Sequence, residues 1–206
     1  MTEQLLQGVV QFQQNEFEEH AKLFEELKDY QNPHTLFIGC SDSRVVPNLI
    51  TQTMPGELFV IRNIANLVPP YRVSVDFAAT TAAIEYAVLM LNVKAIVVCG
   101  HSNCGGISAL FWDTDRLSKI PNVKKWLNLA NNVRTKAMLF TSDPAKREWH
   151  AEQLNIVEQL KNLLTYPFIK ERVENEELDL LGWYYIIETG EVYNYNLDIG
   201  FFEKVN

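Results

Sequence analysis

Positive charge is scarce in this chain of 206 residues: 18 Lys and Arg stand against 26 Asp and Glu, giving a net charge of −8 and a pI near 5.0. With no basic stripe to neutralise a polyphosphate backbone, nucleic acid is excluded as an expected partner. Long apolar runs are missing as well. No uninterrupted stretch approaches the roughly 20 residues needed to cross a bilayer, so no membrane span is expected. The opening Met1-Thr2-Glu3-Gln4 has neither the basic nor the apolar region of a secretory signal, and a soluble, cytoplasmic protein is expected. Cysteine is limited to three residues, too few for a disulfide framework and suited to a reducing compartment. Internal repeats and low-complexity segments are absent. What remains is 47% hydrophobic and long enough for one sizeable core, so a single domain is expected.

The apolar residues are arranged in two kinds of pattern. From Glu3 to about Tyr30, Leu5, Leu6, Val9, Val10, Phe12, Phe17, Leu23, Phe24 and Leu27 recur at three and four, predicting an amphipathic helical arm broken near Gln14-Asn15. Periodicity does not decide whether this arm folds back on its own chain or lies across a partner. After Asn32-Pro33, the short runs Thr35–Ile38, Leu58–Ile61 and Ala95–Cys99 read as strands covered on both faces of a parallel sheet. A helix from Ser74 as N-cap to Asn92 connects two of them, and another spans Glu152–Leu164 with Leu154, Val157, Leu160 and Leu164 at helical spacing until Tyr166-Pro167 stops it. The tail, Leu180–Ile187 followed by Glu188-Thr189-Gly190-Glu191 and Val192–Tyr195, reads as a hairpin adding strands at a sheet edge. The fold class is therefore α/β: a mostly parallel central sheet flanked by helices, with an N-terminal helical arm and a C-terminal antiparallel edge hairpin.

Chemistry concentrates at the ends of two of these strands. Cys40-Ser41-Asp42-Ser43-Arg44 follows the first run, and Gly100-His101-Ser102-Asn103-Cys104-Gly105-Gly106 follows the third. Ligands of open α/β sheets gather beyond the carboxyl ends of strands. Thiolate, imidazole and carboxylate are donors that zinc prefers, and Cys40-x-Asp42 with His101-x2-Cys104 supplies four of them. Gly39, Gly100, Gly105 and Gly106 would let the backbone turn or approach an ion closely. Each ligand alone reads more simply as a buried thiol or a hydrogen-bonded loop histidine; their coincidence at two strand ends is what argues for a metal. Cys99, inside the third run, reads as buried. Asp42 and Arg44 carry an ambiguity. A bidentate pair between them would draw the carboxylate off the metal and leave the fourth position to water, whereas a metal-bound Asp42 would close the site.

These motifs, together with Gly56-Glu57-Leu58-Phe59-Val60-Ile61-Arg62-Asn63-Ile64-Ala65-Asn66, resemble those of the β-class carbonic anhydrases. The resemblance runs from about Gln31 to Leu110 and is looser in the tail. It implies reversible hydration of carbon dioxide to bicarbonate and a proton by zinc-bound hydroxide, with Zn2+ on Cys40, His101 and Cys104. Asp42 and Arg44 match the catalytic pair, and Asp42 is a fourth ligand only in a closed state. Gln31, Phe59, Ile64, Tyr86 and the Gly105 amide match substrate-binding positions, of which Gln31, Phe59 and Tyr86 come from a second subunit. A homodimer or higher even oligomer is therefore implied, with carbon dioxide and bicarbonate as the small-molecule partners. On this basis the single domain 1–206 comprises an arm at 1–30, a zinc-binding α/β core at 31–165, and a C-terminal helix with edge strands at 166–206.

One departure bears on the state of the site. Some bacterial members place a tryptophan three residues before the first ligand, helping to form a bicarbonate site that favours the closed state. Here that residue is Phe37, although their arginine is matched by Arg62. An open site with Asp42 paired to Arg44 is expected. Two thiolates and a neutral imidazole also leave zinc near zero net charge, so its water should ionise above the value of about 7 found with three histidines, and activity should rise into the alkaline range. His34 is a loop candidate for proton transfer. Two rival readings remain: hydrolysis of carbon disulfide or carbonyl sulfide on the same zinc site, and a non-catalytic zinc-stabilised scaffold.

Overall fold

A computed structural model describes residues 1–71 and 77–206. They divide into two compact units, Met1–Asn32 and Pro33–Asn206. In the first, helices Thr2–Gln11 and Ala21–Leu27 flank a π-helical turn at Phe12–Glu16, where the break in the apolar repeat was expected. Phe17 stacks on Phe24 at 5.2 Å, and Phe12 meets both rings edge-on. Leu5, Leu6, Val9 and Val10 stay exposed.

The second unit is built on six strands: β1 (Thr35–Cys40), β2 (Leu58–Asn63), β3 (Ala95–His101), β4 (Asp179–Tyr185), β5 (Val192–Asn196) and β6 (Phe201–Lys204), in the order β2-β1-β3-β4-β5-β6. The first four are parallel, while β5 and β6 return antiparallel. Every residue of β1 is buried, as two-sided cover of a parallel strand requires. On one face Leu36, Ile38, Ile96 and Val98 meet Ile156, Leu160 and Leu163 of the long helix Pro144–Leu163. On the other, Phe37, Val97 and Cys99 pack with Trp183 and Tyr185, so Cys99 is buried as expected. The long helix starts where Asp143 accepts the amides of Ala145 and Lys146 with Pro144 in the first turn, and Tyr166-Pro167 begins the next helix.

Two expectations need correction. The Leu180–Ile187 run is not at the sheet edge: β4 lies inside the sheet, parallel to β3, and the edge falls to β6. Consecutive Leu180 and Leu181 face the two opposite clusters, and burial on both faces is the condition of an interior strand. The long helix starts eight residues nearer the N-terminus than the apolar spacing suggested, and its buried stripe is Ala151, Glu152, Asn155, Ile156, Gln159, Leu160 and Leu163, leaving Leu164 exposed. The hairpin turn itself is present, with Gly190 at φ 76°. The second expected helix runs Ala78–Glu85 and continues as a π-helical turn Tyr86–Met90; its expected N-cap, Ser74, lies outside the described residues.

Candidate metal centre

Because β1 and β3 are parallel neighbours, their last residues, Cys40 and His101, emerge at the same end of the sheet. Cys104 follows at the entry to a short helix, Gly105–Ser108. The three donor atoms lie within 4.8 Å of one another and all three residues are buried. The two sulfurs are 3.9 Å apart, close to the roughly 3.8 Å that tetrahedral zinc with bonds of about 2.3 Å would impose. His101 Nδ1 donates to the Ser102 carbonyl at 3.0 Å, which leaves Nε2 as the acceptor nitrogen. That Nε2 is buried with no hydrogen-bond partner among the described residues. A buried polar atom so placed is costly unless something fills the role of partner, and a cation does. The residues fit a metal.

Charge in the site is organised around the same atoms. A shared hydrogen bond with Cys104 lowers the pKa of Cys40 and raises that of Cys104, so one thiolate is favoured even before a cation arrives. Burial opposes the charged form of His101, but the neighbouring Cys40 and the Ser102 carbonyl outweigh it and raise its pKa. Cys99, by contrast, is pushed up to about 12 by burial and stays a thiol. Asp42 lies in the loop after β1, gripped by Arg44: Nε to Oδ1 at 2.9 Å, Nη2 to Oδ2 at 2.7 Å, and the Arg44 amide to Oδ1 at 3.0 Å. The guanidinium holds the Asp42 carboxyl well below the usual carboxylate range. Its Oδ2 stops 3.9 Å from His101 Nε2, so the expected pairing of Asp42 with Arg44 is what the structure has.

A cavity of about 300 Å³ opens beside these groups, lined by Cys40, Asp42, Ile64, Gly105 and Gly106 and, on its far wall, by Trp112, Ile120 and Val123. Sequence reasoning placed Ile64 and Gly105 here and missed the far wall, which comes from a run of short helices with no shared periodicity. Phe59 and Tyr86 stand together, ring centroids 6.0 Å apart, but neither lines this cavity, and Tyr86 is exposed. Gln31 is an exposed residue of the N-terminal unit. His34 is not near the centre. It sits at the amino end of β1, its Nε2 3.8 Å from Glu57, whereas Cys40 closes the other end of the same strand. Phe37 is buried and packs edge-on against Trp183, and Arg62 is committed elsewhere: Nε to the Cys40 carbonyl at 3.0 Å and Nη2 to the Asp42 carbonyl at 2.6 Å.

The glycines work differently from what was expected. None of Gly39, Gly100, Gly105 and Gly106 has a positive φ. A Cβ on Gly100 would come within 2.8 Å of Ile156, and one on Gly106 within 2.9 Å of Ile64 and 3.0 Å of Ala65. Gly100 and Gly106 thus permit close packing of helix and loop, whereas a Cβ at Gly105 would meet nothing within 4 Å.

Support from behind the centre was not anticipated. Glu152, buried on the long helix, accepts the Cys104 amide at 2.9 Å and the Tyr184 hydroxyl at 2.8 Å. Burial pushes its pKa up, and those two donors pull it back. Below it on the same helix, Asn155 donates to the Ala65 carbonyl, Gln159 accepts the Val68 amide and Asn162 donates to the Val68 carbonyl, while Tyr166 donates to the Pro69 carbonyl. Trp126 Nε1 donates to the Ile64 carbonyl. Ala65 and Asn66, both at positive φ, are held in that strained loop by these bonds. The signal was available: Glu152 lies four residues before Ile156, a carboxylate on an otherwise inward stripe.

The carbonic anhydrase family model matches residues 35–192. The chain belongs to the β-carbonic anhydrases. A carbonic anhydrase of Helicobacter pylori is 47% identical over 203 residues, covering 96% of this chain and 92% of that one. The solved structure of the β-carbonic anhydrase CcaA aligns with a TM-score of 0.92 at 40% identity over 99% of each chain. A tetrameric β-carbonic anhydrase of the ascomycete Sordaria macrospora aligns at 0.82 and 33% identity, over 94% of this chain and 95% of that one. As a carbonic anhydrase the protein is an enzyme of carbon dioxide hydration, with Cys40, His101 and Cys104 positioned to hold a metal. No helix among the described residues is long and apolar enough to cross a membrane.

Proposed function

We propose that this carbonic anhydrase interconverts carbon dioxide with bicarbonate and a proton on a zinc ion held by Cys40, His101 and Cys104, with Asp42 and Arg44 as its catalytic pair. Zinc in such a site would supply a Lewis acid that makes water ionise far below its bulk value, though above the value of about 7 that three histidines give. The protein supplies orientation. Asp42, kept ionised by Arg44, accepts a hydrogen bond from the attacking water and so aims its lone pair at carbon. The Gly105 amide, at the start of its helix, donates to a substrate oxygen. Ile64, Trp112, Ile120 and Val123 give an apolar substrate a dry wall beside the donors. Phe59 and Tyr86, absent from their own chain's cavity, together with Gln31 complete the cavity of a second subunit, in a homodimer or higher even oligomer.

The observation that carries this reading is the position of Asp42: a carboxylate held bidentately by Arg44, its Oδ2 3.9 Å from His101 Nε2 and beside the three residues that would hold the metal. Metal analysis with stopped-flow hydration of carbon dioxide between pH 6 and 9 tests it. Stoichiometric zinc and a kcat/KM that climbs toward alkaline pH are expected. A folded, metal-free protein, or one that hydrates carbonyl sulfide but no carbon dioxide, would overturn it.

A further inference from the structure

The pairing of Asp42 with Arg44 has two anchors outside the pair. Arg44 Nη2 also donates to the Asn103 carbonyl at 3.1 Å, so one guanidinium bridges the two donor loops. Asn103 stands at φ 55°, in the left-handed region that asparagine tolerates better than most residues, and this conformation presents its carbonyl to Arg44. From the other side Arg62, on β2, caps the carbonyls of both Cys40 and Asp42 and so fixes the main chain from which the Asp42 side chain springs. Neither Arg62 nor Asn103 uses its side chain to touch the metal donors.

These anchors matter because an ionised carboxylate is itself a good zinc ligand. Asp42 Oδ2 is only 3.9 Å from His101 Nε2, and 47% of the Arg44 side chain is exposed. An exposed ion pair alone shifts an equilibrium by less than about tenfold. Holding a carboxylate away from a dication asks for more. We propose that Arg62 and the Asn103 carbonyl are positioning groups that keep Asp42 off the fourth corner of the metal centre, so that the open state is built into the main chain around the catalytic pair. This deepens the proposed function and rests on its metal site.

The test uses full-length protein loaded with cobalt(II) in place of zinc and titrated with azide, read by visible absorption. Azide takes the corner that Asp42 leaves free, and its apparent affinity falls in proportion to the open fraction. Arg62→Gln, which loses the reach to both carbonyls, should weaken azide about tenfold or more. Asn103→Val, whose branched side chain disfavours positive φ, should do the same, while Asn103→Gly stays near wild type. In an Asp42→Asn background Arg62→Gln should have no effect, since no carboxylate is left to compete. Cobalt content and melting temperature of each variant separate a shifted equilibrium from a damaged site. Unchanged azide affinity in both Arg62→Gln and Asn103→Val, or a loss that persists without the Asp42 carboxylate, overturns the proposal. Failure of the wild type to hydrate carbon dioxide would instead strike the proposed function and leave the azide series readable.

Discussion

Replacing Glu152 with glutamine should weaken metal binding while leaving the metal-free fold almost intact. The carboxylate accepts the amide of Cys104, a metal donor, at 2.9 Å and the hydroxyl of Tyr184 at 2.8 Å. Glutamine keeps an oxygen for the Cys104 amide and offers an N–H to Tyr184, whose hydroxyl can accept as readily as donate. The count of hydrogen bonds is preserved and only the charge behind the donors is lost. Outer partners of metal ligands typically contribute 10–100-fold in affinity, or about 1.4–2.8 kcal/mol at about 1.4 kcal/mol per factor of ten. Glu152→Ala differs, because it orphans the amide and the hydroxyl in a buried site at about 1–3 kcal/mol each. It should therefore destabilise the metal-free protein by about 2–6 kcal/mol as well. Competition with a chromophoric zinc chelator gives the affinities, and denaturant melts of chelator-treated protein give the stabilities. A glutamine variant that binds zinc as tightly as wild type, or that unfolds as easily as the alanine variant, would refute the reasoning.

Asp42→Asn should lower kcat/KM by about 10²-fold through misorientation of the attacking water, with zinc content unchanged; near-normal turnover would remove Asp42 from the catalytic pair. Arg44 holds Asp42 below its ordinary value of about 3.9, so the stabilisation is complete above that pH and lost as pH falls toward the depressed value. In metal-free protein, the stability difference between wild type and Arg44→Gln should hold from pH 7 to about 5 and shrink below about 4. A difference that grew on acidification would have the wrong sign. Gly106→Val puts a Cβ within 2.9 Å of Ile64 and 3.0 Å of Ala65, where the loop is fixed by bonds from the long helix. It should cost about 1–3 kcal/mol in a thermal melt, and an unshifted melting temperature would mean the loop yields.

Cys40 and His101 were legible because each follows a short apolar run and a glycine, and Cys104 because it stands three residues after His101 and before two glycines. The same marking made β1, β2 and β3 readable, and two-sided burial of β1 explains why its run has no polar alternation. Cys99 was readable as buried because its neighbours on the strand are all apolar. What stayed hidden was held by polar groups turned inward. Reading the long helix by its apolar residues placed the stripe on Leu154, Val157, Leu160 and Leu164, of which Leu160 is buried, whereas Glu152, Asn155 and Gln159 also occupy the buried face because each finds a main-chain partner there. Composition cannot say that such partners exist. His34 was misjudged because a histidine near a strand start carries no mark of which end of the sheet it occupies. Trp112, Ile120 and Val123 escaped because residues from separate short helices meet only in three dimensions.

The helix Pro144–Leu163 fastens the loop of Cys104 through Glu152 and the loop of Ile64 through Asn155, Gln159 and Asn162. Both walls of the reaction chamber thus hang on one rod, and their relative placement is measured out along its turns. One residue inserted between Glu152 and Asn155 would swing everything beyond it by about 100° and slide it by about 1.5 Å, unhooking the second loop while the first stayed in place. Substitutions on the outer side of this rod are free to drift. Its length is not.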